Sequence, residues 1–192
     1  MRNGSYIPSR NEKRVDGIKW KASWYNVSSV RGLSPEEKCF AWKITQDMLD
    51  VGVRKHKKDS IKDCKRMVDN RKICGKLETV KHRLIECKNV EDSYNKCKRI
   101  LIKFLGKEVT DDQILCLSFT HKNPKVKMAS VWFAVKFLYE IFLSNTKVDS
   151  DSCLKLIVGI IQELKWNIKN KIMLRGYEYQ SLIQLLLQQS NK

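Results

Sequence analysis

The chain has 192 residues, of which 42% are hydrophobic, with only eight glycines and three prolines. This length suits one domain with a core, and the scarcity of turn residues favours helices over a turn-rich β fold. The 38 Lys and Arg outnumber 21 Asp and Glu, which gives a formal net charge of +17. Such a charge predicts a polyanionic partner, which is usually nucleic acid and otherwise an anionic membrane surface; the alternative is a lysine-rich, solvated surface.

The N-terminal part of the chain divides into a polar arm and an aromatic segment. Residues 1–17 show no hydrophobic period and predict a flexible basic arm, followed by a helical domain over residues 18–192. Residues 18–27, IKWKASWYNV, carry Trp20 and Trp24 among their aromatic side chains. We interpret these rings either as an apolar hook packed on the core or as a surface on which bases stack.

Capping signals mark the starts and ends of several helices. Ser34 is a predicted N-cap, Pro35 suits the first helical position, and Glu37 completes a capping box. This helix is predicted to run to about residue 50. Further helix boundaries of the same kind are predicted at Gly106, Thr110 and Asn123.

Helical periods continue to the end of the chain. They are found in residues 90–106, 131–143 and 149–172, and a last helix is predicted over residues 178–189. Residues 131–143, VWFAVKFLYEIFL, contain a Lys and a Glu and are too short to span a bilayer, so they predict a central core helix. The predicted fold is all-α, a single helical domain with a small irregular Cys/His knuckle at residues 71–87.

The seven cysteines are an odd number, and the N-terminus lacks the apolar segment of a secretory signal. A disulfide framework is therefore not expected. Reduced thiols predict an intracellular protein, nuclear or cytoplasmic.

Residues 54–83 are the most basic part of the chain, with twelve Lys or Arg against four Asp or Glu. Clustered cations of this kind hold nucleic-acid phosphates in a salt-dependent and largely sequence-independent way. The cations predicted to contact phosphates are Lys55, Lys57, Lys58, Lys62, Lys65, Arg66, Arg71, Lys72, Lys81 and Arg83.

Inside this basic segment, residues 73–87 read ICGKLETVKHRLIEC and present Cys74, His82 and Cys87. Closed zinc sites take four Cys or His ligands, and a Cys-Gly start followed by His and Cys is typical of a zinc knuckle. Arg71 occupies the position where another cysteine is expected.

Several residues are candidates for the fourth ligand. One is Cys64, which a longer loop would bring to the site. The others are Cys97 and His56, either of which would reach the site if the chain folded back. A knuckle that keeps its shape without metal is a further alternative. A last one is that Cys74 and Cys87 pack in the core and that His82 is a hydrogen-bonded histidine with no metal role. Zinc is thus a candidate cofactor on spacing alone.

The same residues resemble the zinc-binding segment that follows the reverse transcriptase domain in non-LTR retrotransposon proteins. That segment reads Cys-x-x-Cys-Gly, then Glu-Thr, His and Cys, and the matching residues here are Cys74, Gly75, Glu78, Thr79, His82 and Cys87. The flanking helices resemble those of the family more loosely, over residues 30–175. The resemblance implies a nucleic-acid-binding appendage, in a free-standing and altered copy that lacks reverse transcriptase and endonuclease domains.

Two functions are consistent with these features. The first is a non-enzymatic nucleic-acid-binding protein derived from a retrotransposon polyprotein. The second is a protein-interaction module or selfish-element effector that binds a host factor through Trp20, Trp24 and Trp42. An enzyme is not expected, because the sequence shows no carboxylate pair, catalytic triad order or phosphate-binding glycine loop.

Overall fold

A computed structural model describes residues 20–52, 63–69, 72–144, 150–169 and 183–184. The predicted arm over residues 1–17 and most of the predicted last helix lie outside these ranges.

The described residues confirm the predicted all-α fold. The helices are α1 (Trp20–Ser29), α2 (Pro35–Thr45), α3 (Glu91–Leu105), α4 (Asp111–Leu115), α5 (Pro124–Leu143) and α6 (Ser150–Lys169). Between α2 and α3, a short antiparallel hairpin of β1 (Met67–Asp69) and β2 (Lys72–Ile73) is followed by a π-helical turn (His82–Glu86). The hairpin and the turn form the irregular Cys/His knuckle.

The predicted helix caps are present. Ser34 and Glu37 form a reciprocal capping box at the start of α2, since each side chain accepts the other residue's backbone N–H. Gly106 ends α3 in the left-handed conformation, with φ 65°. The structure ends α2 at Thr45 rather than near residue 50, because the chain turns at Asp47, where φ is 52°.

The long helix α5 is the centre of the domain, as its apolar sequence predicts. It packs against α1, α2, α3, α6 and the π-helical turn. Every residue from 131 to 138 is buried, including Trp132, whose indole N–H donates to the Gly32 carbonyl at 3.1 Å. Among the described residues, no helix combines the length and apolarity that crossing a membrane requires.

One charged side chain lies within this core. Lys136 of α5 is almost fully buried and forms ion pairs with Glu37 of α2, at 2.5 Å, and with Glu163 of α6. A buried cation is tolerated only when such partners compensate its lost hydration. These two ion pairs therefore link α2, α5 and α6.

Candidate metal centre

The structure brings Cys64, Cys74, His82 and Cys87 together in one cluster. Their ligand atoms all lie within 4.8 Å of one another, and the two cysteines at positions 64 and 87 are fully buried. This cluster can hold a metal ion. Of the three candidates for the fourth ligand, Cys64 is the one present; Cys97 is buried in α3, and His56 lies outside the described residues.

The spacing within the cluster fits tetrahedral coordination. With Zn–S near 2.3 Å and Zn–N near 2.0–2.1 Å, a tetrahedral ion separates two sulfurs by about 3.8 Å and a sulfur from a nitrogen by about 3.5 Å. The Sγ atoms of Cys64 and Cys87 are 3.9 Å apart, and Cys74 Sγ lies 3.4 Å from His82 Nε2. These two separations match the edge lengths of a zinc tetrahedron, and the other four ligand pairs lie within 4.8 Å.

The hairpin supplies two of the four ligands. The Cys64 N–H donates to the Lys76 carbonyl at 2.7 Å, and the Cys74 N–H donates to the Arg66 carbonyl at 2.8 Å. These bonds set Cys64 and Cys74 on opposing strands. Gly75 follows with φ 65°, a left-handed conformation that glycine adopts at least cost, and its N–H donates to the Cys64 carbonyl at 3.1 Å.

The π-helical turn supplies the other two ligands. Thr79 Oγ1 accepts the backbone N–H of His82 at 3.0 Å, which fixes the start of the turn. The Cys87 N–H then donates to the His82 carbonyl five residues earlier, at 3.0 Å. On an α-helix, residues five apart lie roughly 140° from each other around the axis. The wider π-helical turn reduces this separation and brings His82 and Cys87 into the same cluster.

The thiols are electrostatically unequal. The hydrogen bond with Cys64, together with hydrogen bonds from His82 and the backbone amide of Asn89, outweighs the effect of burial and lowers the pKa of Cys87 to about 3. The same bond with Cys87, together with burial, raises the pKa of Cys64. Cys87 is thus the preferred thiolate, surrounded by donors that favour a negatively charged sulfur.

Arg66 lies behind the cluster rather than on the surface. It is 1% exposed, and its guanidinium donates to the carbonyls of Ser144 (3.1 Å), Arg83 (2.6 Å) and Ile141. Burial, followed by the charge of Arg83, lowers the pKa of Arg66 to about 10, so the side chain is still cationic at neutral pH. The predicted phosphate contact by Arg66 does not fit this position, because its donors are occupied by carbonyls.

Arg83 has a similar position beside the end of α5. It donates to Glu78 Oε1 at 2.9 Å and to the Phe142 carbonyl at 2.9 Å, and its guanidinium lies over the Phe142 ring. The side chain is 13% exposed. Arg66 and Arg83 therefore satisfy carbonyls at the C-terminus of α5, where the helix dipole favours cations. This corrects the prediction for Arg83, whose guanidinium is engaged within the protein.

Several exposed lysines are close in sequence to the ligands of the cluster. Four exposed lysines lie within two residues of a ligand in the sequence, namely Lys65, Lys76, Lys81 and Lys88. Lys81 forms an exposed ion pair with Glu86 at 3.4 Å. Sequence reasoning did not select positions 76 and 88, although their proximity to Cys74 and Cys87 was visible.

The remaining predicted phosphate contacts receive no structural description. The backbone of Lys72 is described in β2, but its side chain is not. The residues that lie entirely outside the described ranges are Lys55, Lys57, Lys58, Lys62 and Arg71.

The candidate interaction rings lie away from the cluster. The rings of Trp24 and Trp42 are half-buried and meet edge to face at 5.0 Å, while the side chain of Trp20 is outside the described set. Helices α2 and α5 also border a groove of about 410 Å³ with Phe40 and Tyr139 in its wall. The two described rings therefore pack on each other and do not form a projecting patch.

No family model matches this chain, and no curated protein or solved structure matches it either.

Proposed function

We propose that the chain is a non-enzymatic nucleic-acid-binding protein whose knuckle is held together by zinc. The observation that carries the proposal is the set of four ligand atoms within 4.8 Å of one another, in the most basic part of the sequence. Structural zinc contributes directly to the folding of such a small irregular segment.

The donor set favours zinc over the hard divalent cations. Three cysteines and one histidine offer soft thiolate and imidazole ligands, which suit zinc and exclude magnesium or calcium. Three thiolates and one Zn²⁺ leave a net charge of about −1, and the buried guanidinium of Arg66 compensates it. Zinc ligation also requires reduced thiols, which supports the predicted intracellular location, nuclear or cytoplasmic.

The lysines around the cluster supply the contact to nucleic acid. Because each is within two residues of a ligand, the metal fixes their backbone positions relative to one another. Lysines in such an arrangement contact successive phosphates and add to the attraction of a chain with net charge +17. DNA and RNA share this phosphate chemistry.

The resemblance to the retrotransposon knuckle supports an origin in such an element. Two residues of the shared pattern have structural tasks here: Thr79 caps the turn that carries His82, and Glu78 binds Arg83 and the Gly52 N–H. The altered first position, Arg71, is compensated by Cys64 in the cluster. We propose that the chain is a diverged copy that kept its metal by moving one ligand.

Binding to labelled DNA and RNA oligonucleotides at 50 to 300 mM salt tests the proposal. We expect log K to fall linearly with log salt, and the triple variant K65Q/K76Q/K88Q to reduce the slope by about two to three. The matched control, K103Q/K125Q/K165Q, removes the same charge from exposed lysines of α3, α5 and α6. Absence of salt-dependent binding, or an equal effect of the two variants, would contradict the proposal.

A further inference from the structure

Two large apolar side chains are exposed on the hairpin, in the most basic part of the chain. Ile73 is 50% exposed and Leu77 is 53% exposed. Both flank the metal ligand Cys74, so their exposure does not result from distance to the core. Apolar side chains held at the surface by a rigid site are typical of a binding surface.

The pattern of burial places these side chains on the outer side of the hairpin. Ile73 pairs with Met67 of β1, and Leu77 forms an isolated antiparallel bridge with Asp63 beyond the ends of β1 and β2. Ile73, Leu77 and Lys65 are exposed, whereas the ligands Cys64 and Cys74 are buried and half-buried. The three exposed side chains therefore lie on the outer face of the hairpin, away from the ligands.

The outer face has a notch at its centre. Ile73 and Leu77 are four residues apart in the sequence, on either side of the left-handed turn at position 75. Gly75 lies between them, and a Cβ built on it meets no atom within 4 Å. The exposed Lys65 is near this gap, because it follows Cys64, whose carbonyl accepts the Gly75 N–H. The surface therefore combines two apolar contacts, a gap between them and a cation beside the gap.

We propose that this outer face binds the bases of single-stranded nucleic acid, an inference that rests on the proposed function. The faces of bases are apolar, but they are covered by stacking in a duplex and become accessible in unpaired strands. Ile73 and Leu77 contact two base faces, while Lys65 binds the intervening phosphate. The positive charge of the surrounding segment favours this polyanion over an apolar protein surface, and Lys76 and Lys81 add exposed cations nearby.

The test compares three fluorescent probes of equal length: a mixed-sequence single strand, its duplex, and an abasic strand with the same phosphates. We expect the wild-type protein to bind the single strand most tightly. The variant I73S/L77S should lose about tenfold or more of that affinity, since base contacts of this kind are each substantial. Its affinity for the abasic strand should equal that of the wild type.

The control variant M48S/V158S removes two exposed apolar side chains elsewhere and should bind all probes as the wild type does. Far-UV circular dichroism and zinc content establish that both variants are folded. Equal wild-type affinity for the mixed and abasic strands would overturn the inference and indicate a protein partner for this face, while leaving phosphate binding intact. Failure to bind any probe would overturn the proposed function as well.

Discussion

Replacing Arg66 by Met tests whether this arginine is a structural residue. The guanidinium is buried and donates to three backbone carbonyls, two of them at the end of α5 and one in the π-helical turn. Met keeps much of the aliphatic volume but provides no donor. The substitution therefore leaves three acceptors without their cation and detaches the knuckle from α5.

The expected loss of stability is large. A hydrogen bond involving a charged group contributes about 1.5–3 kcal/mol net, and part of the sum is offset because a buried charge is removed. We therefore expect Arg66→Met to lower the free energy of unfolding by about 3–5 kcal/mol. With an m-value of about 2 kcal/mol/M in urea, the midpoint falls by about 2 M.

Urea unfolding followed by far-UV circular dichroism, with zinc in excess, measures this difference. Lys65→Met is the matched control, because it removes the same charge from the preceding, exposed residue and should cost less than about 0.5 kcal/mol. Arg66→Lys should lie between the two, since it keeps the charge but loses the forked geometry. Equal midpoints for Arg66→Met and Lys65→Met would refute the structural role of Arg66.

Three further substitutions test the fold. Lys136→Met should destabilise the protein by about 3–5 kcal/mol in thermal or urea unfolding, because it leaves the buried carboxylate of Glu37 without its cation. Adding Glu37→Gln to this variant should recover part of the lost stability, because it removes the unpaired charge. Gly75→Ala, at φ 65°, should lower the free energy of unfolding by about 1–2 kcal/mol and weaken zinc binding in a chelator competition. Gly159→Ala in α6 should instead raise the free energy of unfolding by about 0.5–1 kcal/mol. A gain in stability at both positions would contradict the left-handed backbone assigned to Gly75. Although burial alone raises the pKa of Asp111, hydrogen bonds from its lysine and tyrosine partners lower it overall. Because the pKa of this carboxyl is lower in the folded protein, its ionisation stabilises the fold at pH values above the pKa in the unfolded chain, near 3.9. This contribution is lost as the pH falls through the pKa of the folded protein. Asp111→Asn should thus be less stable than the wild type at pH 7 and differ little at pH 2, and a difference that does not shrink on acidification would contradict the assignment.

The helix boundaries were predictable because their signals are local. The capping box of Ser34 and Glu37 and the left-handed Gly106 each depend on residues within one turn. The end of α2 was predicted less well, since apolar periodicity continues past Thr45 and the left-handed turn at Asp47 has no strong sequence signal.

The site was predictable in part. The spacing of Cys74, His82 and Cys87 identifies three ligands, but the fourth depends on how the hairpin closes, and Cys64 was one of several candidates. The burial of Arg66 was not predictable, because a basic segment does not reveal which of its cations meets the end of a distant helix. Such long-range contacts have no local pattern.

Elemental analysis of the purified protein tests the central claim most directly. We predict one zinc per chain in the wild type and in the control Cys39→Ser, which alters an exposed cysteine outside the cluster. Cys64→Ser should lose the metal, because a closed tetrahedral site needs all four ligands. A wild-type protein without zinc after expression in zinc-supplemented medium, or a Cys64→Ser variant that retains a full equivalent, would contradict the assigned metal centre.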